Sequence, residues 1–168
     1  YQAGIINIQA NNTQLGYIED EMELISQDLP DDLSVSLSVE GSEGNILSGN
    51  LSGTYSSGIY RILGDLTIAE NDIVILEPGT EFLFDGQYNF NIYGTLKAIG
   101  TESDSIIFDN FGNERWRGFT LENVSDQTTF EYVRISGAEK DDGGGMFLNS
   151  SNPILTNITI SVSYTHLR

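Results

Sequence analysis

Along most of this chain, apolar residues come in pairs two positions apart. Phe82/Phe84, Ile106/Phe108, Val133/Ile135 and Ile158/Ile160 form one ladder, with steps of 24, 27 and 25 residues between pairs. Half a repeat ahead runs a second ladder, Leu66/Ile68, Phe90/Ile92, Phe119/Leu121 and Met146/Leu148, at steps of 24, 29 and 27. Two-residue spacing sets both members of a pair on one face of a strand. A weaker third pair, Val74/Leu76 then Leu96/Ala98, recurs 22 residues apart and thins afterwards to the lone Val124 and Ile154. Turn residues separate the pairs: Asn71-Asp72, Pro78-Gly79, Asp85-Gly86, Gly94, Gly100, Gly112-Asn113, Gly137, Gly143-Gly144-Gly145 and Asn152-Pro153. No helical period survives beyond Leu66. Short strands recurring about every 25 residues predict a solenoid, because one coil cannot bury its own apolar side and needs neighbours above and below. Phe84, Phe108 and Ile135 are expected one above another in a single column.

The first 42 residues follow a different pattern. Leu33, Val35, Leu37 and Val39 alternate with Ser34, Ser36, Ser38 and Glu40, which predicts a half-buried strand. Glu21 to Ser26 and Gly4 to Ala10 read as further strands, with turn chemistry from Gln27 to Asp32. These strands belong either to a β-sandwich or to a cap on the solenoid. Residues 43–58, rich in Gly and Ser, read as a linker or lead-in segment.

Two resemblances add to this. Gly64-Asp65-Leu66-Thr67-Ile68, Leu76-Glu77-Pro78-Gly79-Thr80, Gly94-Thr95-Leu96-Lys97-Ala98-Ile99-Gly100-Thr101, Ile106-Ile107-Phe108 and Trp116-Arg117-Gly118 resemble the first coils of large secreted bacterial proteins of the right-handed parallel β-helix, or pectin-lyase-like, superfamily. The resemblance covers about residues 60–160. Residues 15–41 resemble the C-terminal end of a Hydin-type (ASH-like) immunoglobulin-like sandwich, although Gln27 replaces that family's Asn and Leu29 is extra. Together they imply an all-β chain: a right-handed parallel β-helix of about four coils over 59–161, preceded by a few strands of a β-sandwich or cap over 1–42. Residues 162–168 resemble a translated sequencing adapter and read as a non-native tail. The chain begins at Tyr1 without an initiator Met, so it reads as the middle of a longer metagenomic protein.

Charge narrows the choice of partners. There are 25 acidic and 7 basic residues, for a formal net charge of -18, a field that repels nucleic acid and anionic lipid. No apolar run approaches the roughly 20 residues of a membrane span. The chain has no cysteine, which excludes disulfides and thiolate metal sites.

Candidate chemistry is sparse. Arg115 and Arg117 flank Trp116, and a Trp face beside guanidinium groups can stack on a sugar or grip a carboxylated glycan; the alternative is that Trp116 packs at the start of a coil. Arg134 is expected on an outward column with Leu83, Ile107 and Thr159, about one rung from Asp109 and two from Asp85. Asp141-Asp142 ahead of a Gly run, and the turn bearing Asp28, Asp31 and Asp32, are candidate Ca²⁺ ligands or otherwise solvated loops. In polygalacturonase-like relatives an Asp pair works with a Gly-His-Gly and an Arg-x-Lys, and both of these are missing here. The function expected is a structural, adhesive module of an exported bacterial protein, secreted or on the cell surface, touching polysaccharide or surface glycan and joined to neighbouring domains of one longer chain. The alternatives are a polysaccharide lyase or glycoside hydrolase whose catalytic coils lie elsewhere, and a calcium-stabilised surface module.

Overall fold

In a computed structural model, residues 16–24, 33–41, 45–139 and 144–161 are described, with side chains from residue 45 onward. The chain divides into two compact units, residues 1–44 and 45–168. In the first, β1 (Gly16–Leu24) and β2 (Leu33–Gly41) pair antiparallel, from Gly16 opposite Gly41 to Leu24 opposite Leu33. The strand expected at Gly4 to Ala10 lies outside the described residues.

The second unit is built from β3 (Asn45–Asn50), β4 (Gly53–Tyr55), β5 (Gly58–Ile68), β6 (Ile73–Leu76), β7 (Thr80–Phe84), β8 (Phe90–Ile92), β9 (Thr95–Ile99), β10 (Ile106–Asn110), β11 (Phe119–Glu122), β12 (Thr129–Ser136), β13 (Met146–Asn149) and β14 (Ile154–Ser161). Every pairing among them is parallel. The strands stack as three faces. The first face holds the starts of β3 and β5, then β7, β10 and the ends of β12 and β14. The second holds the ends of β3 and β5, then β8, β11 and β13. The third holds β4, β6, β9 and the starts of β12 and β14. This is an all-β, right-handed parallel β-helix of about four turns.

Alternating side chains from all three faces fill the interior. On the second face the expected columns stand as read: Leu66, Phe90, Phe119 and Met146 in one, Ile68, Ile92, Leu121 and Leu148 in the next. On the first face the column differs by two residues. Phe108 pairs with Phe82, giving Tyr60–Phe82–Phe108–Ile135–Ile160, while Phe84 lies between Ile62 and Asn110. Phe84 therefore does not share a column with Phe108 and Ile135. A slip of two keeps every side chain on its original side of the strand, so alternation alone does not detect it. The same slip moves Leu83 beside Asp109 and puts Glu81, not Leu83, next to Ile107. Arg134 has Ile107 and Thr159 as its rung partners.

Aromatic rings cross-brace the columns. Phe119 meets Phe90 at 5.3 Å, Phe108 at 4.9 Å and Phe130 at 5.5 Å between centroids, all in tilted or edge-on contacts. Phe130 supplies the third face where the sequence pattern faded: it stands above Ala98 and below Leu155.

Residues 45–55, inside the Gly- and Ser-rich stretch, form β3 and β4 of the first coil, and Leu51 is buried among the core residues. Glycines there serve as corners, as at Gly53 with φ +82°. Later corners dispense with glycine: Tyr132 (φ 49°) and Asn157 (φ 51°) turn β12 and β14 from the third face to the first at equivalent positions.

Candidate polar cleft around Arg115 and Arg117

The connection from β10 to β11, residues 111–118, is longer than the 85–89 connection of the preceding coil, and the second ladder steps 29 residues there. Within it, Trp116 forms an isolated parallel bridge with Ala138. The Trp116 amide donates to the Gly137 carbonyl at 3.2 Å, and the Glu139 amide to the Trp116 carbonyl at 2.7 Å. In an extended segment neighbours alternate sides. Trp116 points in, fully buried, and Arg115 and Arg117, both half-buried, line the outer surface.

The interior position of Trp116 is fixed from two directions. Its ring lies on Phe84, and its Nε1–H donates to the Ser136 carbonyl at 2.8 Å. Of the two readings of this residue, the structure places it in the core, with no ring face open to a ligand.

Arg115 and Arg117 share a cleft of about 240 Å³ with Gln87 and Glu139. These residues come from successive coils. The Arg117 amide donates to the Tyr88 carbonyl at 2.8 Å, and its guanidinium Nη2 donates to Gln87 Oε1, also at 2.8 Å. A second, more open cleft of about 370 Å³ lies on the other side of Arg115, lined by Asn110, Asn113, Ser136 and Ser161 beside Gly112 and Gly137. Gly137 adopts φ +63° there, a left-handed conformation that favours glycine, and an added Cβ would also push aside the Asn110 side chain, whose Oδ1 it would meet at 1.9 Å. The lining of both clefts is predominantly amide, hydroxyl and guanidinium, groups that donate to hydroxyls and carboxylates.

Of the four glycan-contact candidates read from the sequence, the structure brings Arg115 and Arg117 together. Trp116 lies beneath them, and Arg134 sits exposed on the first face, lining neither cleft. Gln87, Glu139, Asn110 and Asn113 were not singled out in the sequence. The signal that could have pointed to them is the 29-residue step, which marks an enlarged loop where neighbouring coils must supply the walls. Asp28, Asp31, Asp32, Asp141 and Asp142 lie outside the described residues. Among the described residues, no three acidic or imidazole side chains gather as a metal site. Asp85 is engaged by Arg61 in an ion pair. No helix is long and apolar enough to cross a membrane, among the described residues.

Comparison with protein-family profiles, curated proteins and solved structures found no match to this chain. The fold places it in the class of parallel β-helix proteins, a class that hosts many unrelated functions.

Proposed function

We propose that this chain is a segment of an exported, pectin-lyase-like β-helix protein of bacterial type, acting as a structural and adhesive surface module that touches an acidic glycan through the Arg115–Arg117 cleft. The observation that carries the reading is the pair of outward guanidinium groups anchored around buried Trp116. Two of only seven basic residues converge on one cleft in a chain of net charge -18. A local cationic site on an acidic body selects for a ligand that presents carboxylates at short range, since the long-range field repels polyanions. The rigid stacked core suits a load-bearing spacer. Gln87 and Glu139 add the hydrogen-bonding groups that hydroxyls require.

Affinity electrophoresis through gels containing polyuronate, sulfated or neutral polysaccharide tests this. Retardation by an acidic polysaccharide, lost in Arg115→Ala/Arg117→Ala, is the expected result. Equal mobility in every gel overturns the reading. Release of unsaturated or reducing ends from the polysaccharide replaces it with the enzymatic alternative.

A further inference from the structure

The clefts on either side of Arg115 differ in chemistry. The smaller, of about 240 Å³, collects the Arg115 and Arg117 guanidiniums with Gln87 and Glu139. The larger, of about 370 Å³, is walled by Asn110, Asn113, Ser136 and Ser161, and Arg115 is the one charged side chain among its described lining residues. Hydrogen bonds behind the surface hold these walls in place. Asn110 Nδ2 donates to the Gly112 carbonyl, and the Asn110 amide donates to the Asp109 carboxylate at 2.8 Å. The Ser136 carbonyl accepts the Trp116 indole N–H at 2.8 Å. Among the described residues, the Asn113 carboxamide and the Ser136 hydroxyl have no hydrogen-bond partner in the protein, and both line the cleft. The Asp109 carboxylate borders it at Gly137, where an added Cβ would stand 2.6 Å from Asp109 Oδ1.

We propose, building on the acidic-glycan function of the smaller cleft, that the larger cleft is a second sugar subsite, which takes an uncharged sugar joined directly to the uronate held by Arg115 and Arg117. The substrate class is then an acidic polysaccharide in which uronate alternates with a neutral residue, and not a homopolyuronate. Both clefts share Arg115, so the two groups they hold must be near neighbours, and consecutive sugars of one chain meet that requirement. Carboxamides and hydroxyls both donate and accept, which matches the hydroxyl and acetamido groups of a neutral sugar. A site whose polar groups wait for such partners discriminates against a ligand that leaves them unpaired. A second uronate is disfavoured by charge. Its carboxylate would enter beside Asp109, on a body of net charge -18, with only the shared Arg115 in opposition. Once the uronate is bound, its covalently linked neighbour reaches the second subsite at high effective concentration.

Affinity electrophoresis of the whole chain against glucuronate polymers of different sequence tests the proposal. The probes are polyglucuronate, hyaluronan, and the polymer that alternates glucose with glucuronate. With dissociation constants expressed per glucuronate, at least one alternating polymer should bind about tenfold more tightly than polyglucuronate. Asn113→Ala and Ser136→Ala, each with circular dichroism unchanged, should each cut that preference by about threefold or more. Arg117→Ala, which alters the smaller cleft alone, should weaken binding of every probe and keep the ratio between them. Equal affinity for all probes, or tighter binding of polyglucuronate, overturns the second subsite and leaves the Arg115–Arg117 function standing. A preference that survives both Asn113→Ala and Ser136→Ala also overturns it, because lower charge density of the alternating polymers then accounts for the difference. Retardation by none of the probes removes the proposal together with the acidic-glycan function on which it rests.

Discussion

Trp116 lies flat on Phe84, with ring centroids 4.2 Å apart and planes within 6° of parallel. The contact joins the β10–β11 loop to the first face and fixes the outward directions of Arg115 and Arg117. Cleft and core are therefore coupled through one indole.

Truncating that indole should cost stability and the cleft together. Trp116→Ala is expected to lower the unfolding free energy by about 3–5 kcal/mol, the range for deleting a buried large aromatic side chain. Trp116→Phe keeps a ring over Phe84 but strands the Ser136 carbonyl, at a cost of about 1–3 kcal/mol. Denaturant midpoints measure both. Trp116 is the only tryptophan, so its emission should be blue-shifted and poorly quenched by acrylamide in the native protein and shift red on unfolding. Native emission at the wavelength of free indole would contradict its burial.

Gly94 should be intolerant of any side chain for a reason unrelated to φ. A Cβ there would stand 2.2 Å from the Ala69 carbonyl oxygen and 2.5 Å from that of Asp72, both backbone atoms of the coil below. Gly94→Ala is expected to cost about 1–3 kcal/mol or more, because backbone has to move. Gly112→Ala serves as the comparison: it adopts φ +82° with nothing within 4 Å of the added carbon, so only local strain of about 1 kcal/mol applies. A thermal melt in which Gly112→Ala is the more damaging of the two would refute the close-packed corner.

These positions also explain how much of the fold was legible beforehand. Leu66, Phe90, Phe119 and Met146 were readable as a column because alternation and spacing agree on the second face. Phe84 was assigned to the wrong column because a shift of two residues preserves alternation. In the structure β7 opens at Thr80, a buried polar residue whose hydroxyl donates to the Glu77 carbonyl at 2.6 Å, and Phe82 rather than Phe84 lies beside Phe108. Phe130 was missed because Tyr132 turns the corner at positive φ without a glycine, so no turn signal separates the third face from the first. Leu51 was missed because the Gly and Ser around it read as linker, although stacked coils use those residues as corners. Of the cleft, the two arginines could be read from Arg115-Trp116-Arg117. Gln87 and Glu139 reach it only through the stacking of coils, which local sequence does not encode.

Arg61 illustrates a contribution that charge alone does not describe. Its Nε donates to Asp85 at 2.9 Å, and its guanidinium carbon sits 4.7 Å from the centre of the Phe111 ring. Arg61→Lys keeps the positive charge but loses the planar fork and the stacking. A cost of about 0.5–1 kcal/mol is expected, within the range of an exposed cation–π contact. That loss should persist in high salt, where the ion-pair share is screened. Urea titrations at low and high ionic strength separate the two shares. A variant indistinguishable from the parent in high salt would assign the whole effect to the Asp85 pair.

Tyr55 sets the alkaline behaviour. Burial holds its phenol above the ordinary value of 10.0, opposed by a backbone hydrogen bond at Ser52 and reinforced by neighbouring Tyr60. The two rings meet edge to face at 5.7 Å, and Tyr55 also contacts Phe82 in the same manner at 5.9 Å. The folded state thus holds the phenolic proton more tightly than the unfolded state does. The stability linked to this group is fully present below the unfolded value and is lost as pH rises through the folded one. Unfolding free energy measured between about pH 8 and 11 should therefore fall on the alkaline side, and Tyr55→Phe should flatten that fall. Absorbance titration of the parent should show a phenol ionising above the ordinary value of 10.0, and that late component should vanish in Tyr55→Phe. An alkaline limb of equal slope in parent and variant would mean that burial of Tyr55 does not control it.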